Sequence, residues 1–201
     1  MMYMGEEELL QLALEKVKAE MKKRIRELKR QGVEAGYKEE GDKVAIAINL
    51  KSLYSKMRER AKLVLIQKLQ PIQQRVKFKT VQVGNEKIEI ATVTILAPKE
   101  DSPEVKEAIT KLEQLKSQHP VDYQLKDGKL TMIVILSEYY KKYLNQIIDQ
   151  LVETKNQVNA YIQMASSKVP DLGQVEVQME LQTVGDYLVA VLRPTRKTSD
   201  G

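Results

Sequence analysis

Apolar residues along the chain switch between a helical and a strand period in a fixed order, and that order is run through twice. Leu10, Leu14, Val17, Met21, Ile25 and Leu28 recur three and four apart, which predicts a helix over 6–31 with one buried stripe. Acids crowd its start, and Lys22, Lys23, Arg24, Arg26, Lys29 and Arg30 crowd its end, as the helix dipole favours. Gly32 is the expected stop. Strand-period segments at 33–39 and 43–50 flank Glu40-Gly41-Asp42 and predict a hairpin. A second helix begins near Ser52, with Leu53, Met57, Ala61, Val64 and Leu65 on one side and Pro71 to end it. A second hairpin joins 75–83 to 87–96 across Gly84-Asn85.

After a linker at 97–101 the order repeats. Ser102-Pro103-Glu104 sets a capping Ser, a first-turn Pro and an acid before the stripe Val105, Ile109, Leu112 and Leu115. Segments 121–126 and 129–136 flank Asp127-Gly128. The next helix starts near Ser137 and outruns its counterpart, with a nearly heptad seam of Tyr140, Leu144, Ile147, Leu151, Val158, Ile162 and Ala165. Residues 166–173 read as a loop, 175–183 and 187–192 as a hairpin across Gly185-Asp186, and 195–201 as a tail.

Local matches support a duplication. Tyr37, Lys43, Leu50, Tyr54 and Lys56 recur at one constant offset as Tyr123, Lys129, Leu136, Tyr140 and Lys142. Val83-Gly84-Asn85 recurs as Val184-Gly185-Asp186. The expected fold class is α+β. Two fused αββαββ repeats, 1–98 and 99–194, are related by a pseudo-twofold axis, with helices packed on one face of antiparallel sheet. In the hairpin strand 87–96, Ile88 and Ile90 share a parity that Val93 and Ile95 reverse, which predicts a bulge near Ala91-Thr92.

This element order resembles, in arrangement, the core of the LAGLIDADG homing endonucleases. Where that family carries a small-residue motif ending in an acid, this chain has Arg30-Gln31-Gly32-Val33-Glu34 and Gln118-His119-Pro120-Val121-Asp122. Acids are present, but bulky Lys and Arg replace the small residues. The resemblance therefore carries over no activity and no site residue. A duplicated saddle like that of the TATA-binding proteins is similar at the same level, without the Phe pairs that family inserts, since Phe78 is the only Phe.

Composition changes the picture in three ways. Among 201 residues there is no Cys and a single His, His119 before Pro120, so thiolate chemistry is excluded and a zinc site has no ligand set. The glycines stand singly in turns, with no phosphate loop. Catalytic residues, cofactors and metals are accordingly expected to be none, and the chain is expected to be non-enzymatic. Secondly, no apolar run is long enough to cross a bilayer and no secretory signal pattern opens the chain, so a cytoplasmic location is expected. The Cys-free, Lys- and Glu-rich composition is one that thermophilic proteins favour. Thirdly, residues 1–98 carry a net charge of +7 and the remainder −2.

Two functional expectations follow. The first is an assembly or protein-interaction protein that self-associates. Leu130, Met132, Val134 and Leu136 share one strand face while Ile133 and Ile135 occupy the other, and a strand apolar on both faces needs cover on both. The expected interface residues are Ile133, Ile135, Leu144, Leu151 and Val158. The alternative is sequence-independent binding of DNA or RNA phosphates by Lys22, Lys23, Arg26, Lys29, Arg30, Arg75, Lys77 and Lys79. Against it, the strand matching 75–83 presents Gln174, Glu176, Gln178, Glu180 and Gln182. No membrane partner is expected.

Overall fold

The computed structural model describes residues 5–69, 76–96 and 102–197, excepting the side chains of 64–69, 95 and 96. The elements run α1 (Glu6–Arg30), β1 (Ala35–Glu40), β2 (Lys43–Asn49), α2 (Leu50–Leu69), β3 (Val76–Val83), β4 (Glu86–Leu96), α3 (Pro103–Lys116), β5 (Val121–Lys126), β6 (Lys129–Ile135), α4 (Leu136–Ala165), a 3-10 turn (Pro170–Gln174), β7 (Val175–Val184) and β8 (Tyr187–Arg196). The expected α+β class and the twice-repeated alternation of a helix with a strand pair are present. Pro71, the linker 97–101 and the end of the tail lie outside the described residues.

Local chemistry sets the boundaries. Gly32 takes φ +84°, and α1 closes on the bonds Val33 N–H to Leu28 O (2.9 Å) and Gly32 N–H to Lys29 O (3.0 Å). These two bonds make a Schellman stop, which a left-handed residue allows. Ser102 Oγ accepts the Val105 N–H at the start of α3. All four hairpins have two-residue loops. Gly41, Gly84 and Gly185 each supply a positive φ at the first loop position, and Asp127-Gly128 supplies two. Both second helices start earlier than the sequence predicts. Leu50 and Leu136 are their first residues and follow the strands with no loop; at α2, Asn49 Oδ1 accepts the Ser52 N–H (3.1 Å).

The strands form two four-stranded antiparallel sheets, β1-β2-β8-β7 and β3-β4-β6-β5. Each sheet takes one hairpin from each sequence repeat. Exchanging the repeats (β1 with β5, β2 with β6, β3 with β7, β4 with β8) turns one strand order into the other. Register follows the duplication as well: Ala35 faces Ile48 in the first hairpin, and Val121 faces Val134 in its counterpart. The compact units are Met1–Leu53 with Gln146–Gly201, and Tyr54–Asn145. They divide the chain differently from the repeats 1–98 and 99–194, because each repeat gives a hairpin to both units.

In the first unit α1 lays Leu14, Val17, Met21 and Leu28 over the face of Val44, Ile46, Ile48, Ala190 and Leu192, all nearly or fully buried. The second half of α4 is fixed by polar bonds. Arg24 Nε donates to Thr154 Oγ1 (2.9 Å), and Asn159 both accepts from the Val177 N–H (2.7 Å) and donates to its carbonyl (3.1 Å). In the second unit Leu112, Leu130, Met132, Val93 and Ala91 are buried at 0–1% exposure. Each large apolar side chain buried this way contributes roughly 1.5–3 kcal/mol.

The predicted bulge is absent. The register of β4 runs unbroken through Ala91 and Thr92 against both β3 and β6. Ala91, Thr92 and Val93 are all buried. The parity switch records apolar residues on both faces of one regular strand, Ile88 and Ile90 on one and Val93 on the other, and no extra residue is inserted.

Candidate interaction surface

Residues directly opposite each other in an antiparallel pair lie on the same face of the sheet, so the registers sort the second unit's sheet into two faces. One face holds Phe78, Ala91, Glu89, Met132, Val134 and Tyr123. It meets α2 through Arg58, whose guanidinium stacks 4.0 Å from the Phe78 ring, and α3 through Glu113, which accepts the Tyr123 hydroxyl proton. The other face carries neither helix. Across it run two adjacent rows, Lys77–Thr92–Ile133–Asp122 and Lys79–Ile90–Ile135, followed by the pair Val81–Ile88. Ile88, Ile90, Ile133 and Ile135 remain partly exposed there, while Thr92 in their midst is 8% exposed.

The equivalent face of the first sheet has smaller side chains and the opposite rim charge. Ala47 and Asn49 stand where β6 has Ile133 and Ile135, and Gly36 and Lys38 flank them on β1. Gln178 and Glu180 stand where β3 has Lys77 and Lys79. Val189 and Val191 stand where β4 has Ile88 and Ile90 and are likewise partly exposed, so one sheet has an isoleucine centre with a lysine rim and the other an Ala/Val centre with a Gln/Glu rim.

The rim electrostatics are simple. Lys77 and Lys79 are exposed, with no ion pair among the described residues. The Asp122 carboxyl, at the other end of the Lys77 row, is lowered from its ordinary value chiefly by the Tyr123 N–H, against the effect of burial, with help from Lys116 at 3.4 Å.

A polar cluster lies on the helix side of the same sheet. Tyr54 donates to Glu89, Arg58 pairs with Glu89 (3.2 Å), and the Tyr54 and Tyr140 rings meet edge to face at 5.2 Å. Burial raises the Glu89 carboxyl and the Tyr140 hydroxyl above their ordinary values. Tyr54 and Tyr140 are equivalent positions in the two repeats, so the duplication brings a residue against its own copy. The cluster joins one carboxyl, two tyrosine hydroxyls and a guanidinium; among the described residues no group of three His, Asp or Glu side chains is placed to hold a metal.

The expected residues are distributed as follows. Ile133 and Ile135 lie on the open face, and Leu144 is half-buried on α4. Leu151 and Val158 are 0% exposed and belong to the chain's own core, because the α4 seam faces inwards over its second half. Sequence reasoning missed Ile88, Ile90 and Thr92 as neighbours of Ile133; only the cross-repeat pairing of β4 with β6 brings them together. Lys22, Lys23, Arg26, Lys29 and Arg30 are exposed along α1 in the first unit, with Lys22 paired to Glu39 (3.5 Å) and Lys23 to Glu20 (3.5 Å). Lys77 and Lys79 belong to the second unit, and Arg75 lies outside the described residues. The His119 ring stands beside Tyr139. No described helix is long and apolar enough to cross a membrane.

No family model matches the chain, and no curated protein and no solved structure matches it either.

Proposed function

We propose that the chain is a non-enzymatic assembly protein that associates with itself through the open face of the sheet β3-β4-β6-β5. The observation that carries this reading is the two-sided apolar character of β6. Leu130, Met132 and Val134 are buried within the chain, whereas Ile133 and Ile135 stay partly in water beside Ile88 and Ile90. An apolar patch on an otherwise alternating sheet marks a surface meant for cover. Covering what remains exposed of four isoleucines contributes roughly 2–4 kcal/mol per copy at the usual transfer values.

Phosphate binding is the second reading, favoured by Lys77 and Lys79, which are exposed and have no ion pair among the described residues. It is the weaker one, since those lysines border isoleucines and the matching strand offers Gln178 and Glu180. Sedimentation of the pure protein, alone and with duplex or single-stranded nucleic acid at two salt concentrations, tests the pair. Self-association indifferent to nucleic acid is expected. A monomer that shifts only with nucleic acid, and only at low salt, overturns the proposal in favour of phosphate binding.

A further inference from the structure

We infer that two copies meet open face to open face, related by a twofold axis that runs along the strands, so that β3 of each copy lies over β5 of the other. This pairing presupposes the self-association proposed above and adds its geometry.

The rows of the sheet decide the geometry. A twofold axis along the strands keeps each row at its own height and reverses its direction. The row Lys77–Thr92–Ile133–Asp122 then faces Asp122–Ile133–Thr92–Lys77 of the second copy. Cation lies over acid at both ends, and the small Thr lies over the large Ile in the middle, twice over. In the next row Ile90 and Ile135 face one another across the interface. Sheets packed in this way stand about 10 Å apart with strands nearly aligned. The alternative axis, across the strands, lays β3 over β3 and β5 over β5: through this row it sets Lys77 over Lys77 and Asp122 over Asp122, and midway to the next row it sets Lys77 over Lys79. The charges at the two ends of one row therefore select the first axis over the second. Asp122 already shares an ion pair with its own Lys116, but both side chains are half or more exposed, and the carboxylate has a second oxygen to offer.

The footprint is compatible with a modest dimer. Four strands at about 4.8 Å spacing and about five residues of length give roughly 300 Å² in projection, and on the order of 500 Å² of accessible surface per copy once side chains are counted. That total of roughly 1,000 Å² lies at the lower edge of specific interfaces. The sedimentation series accordingly has to reach well into the micromolar range.

The test is a pair of charge reversals, each at an exposed edge-strand position, Lys77→Asp and Asp122→Lys. Each variant alone sets like charges together at both ends of the row, and its dimer is expected to be about tenfold weaker, from two small rim pairs each turned from attraction to repulsion. An equal mixture of the two variants restores both pairs in the mixed dimer, so the mixture is expected to associate nearly as well as the wild type. Circular dichroism checks the fold of each variant. Should a reversal unfold the chain, Lys77→Gln and Asp122→Asn give the same ordering with smaller steps. A wild-type dimer whose variants do not weaken, or whose mixture does no better than its components, overturns the twofold pairing and leaves self-association standing. A wild type that is monomeric throughout overturns both.

Discussion

Met132 and Ile133 are neighbours on β6 and point to opposite faces, so substituting each in turn separates folding from assembly. Met132 is 0% exposed among Val93, Tyr123 and the helices above them. Met132→Ala removes a fully buried side chain and leaves a cavity, at a cost of about 2–5 kcal/mol. Ile133 is partly exposed beside Thr92 and Asp122. Ile133→Thr keeps β-branching and strand preference and gives up the part of the Ile side chain shielded within the chain, so it costs roughly 1–2 kcal/mol in the isolated chain, less than Met132→Ala. Urea unfolding followed by circular dichroism at sub-micromolar protein reads the first quantity, and sedimentation at high concentration reads the second. Met132→Ala is expected to lower the unfolding midpoint sharply. Ile133→Thr is expected to lower it clearly less while weakening association on the order of tenfold, because the loss at the interface is felt once in each copy. If Ile133→Thr destabilises the dilute monomer as much as Met132→Ala does, Ile133 is already covered within the chain and the reading of the open face is wrong.

Other outcomes follow from single contacts. Gly32→Ala forces a side chain onto φ +84° and is expected to cost about 1–2 kcal/mol, seen as a melting temperature a few degrees lower. Asn159→Ala leaves the Val177 N–H and carbonyl without their partner and is expected to cost roughly 1–3 kcal/mol, with faster amide exchange at Val177. Glu89 binds its proton more tightly folded than unfolded, because burial disfavours its charge. Its contribution to stability therefore improves as pH falls through its raised folded pKa towards the unfolded value, and is least favourable above that range. Glu89→Gln removes this contribution, so the stability of the wild type relative to the variant should rise on acidification; a flat or opposite trend would show that the Arg58 and Tyr54 contacts outweigh burial.

Much of the fold is legible in the sequence because its signals are local. A glycine at each two-residue loop, the stripe from Leu14 to Leu28 and the Ser102 cap each fix an element through residues no more than a few positions apart. Strand order is not local. The hairpins β1-β2 and β7-β8 are readable one by one, but nothing near Val44 announces that it will face Leu192 rather than a strand of its own repeat. The error at Ala91-Thr92 has the same origin. Without knowing that β6 lies beside β4, apolar residues on both faces of one strand look like a change of register. Leu50 and Leu136 were natural strand ends by alternation, yet each opens a helix without a loop. Half of the candidate surface, Ile133 and Ile135, could be named from the two-faced pattern of β6 alone. The other half, on β4, required the pairing. Leu151 and Val158 carry a seam that suits an external or an internal partner equally well, and the chain's own sheet takes it.

The absence of Cys makes the central claim directly measurable, since Ile133→Cys places a lone thiol at the middle of the open face. The rate of its modification by a small maleimide, followed across protein concentration, reports whether that face becomes covered. A control thiol at Ala47→Cys sits at the equivalent position of the other sheet. Labelling at 133 is expected to slow as concentration rises, while labelling at 47 stays constant. A rate at 133 that is independent of concentration up to the millimolar range would contradict assembly through this surface.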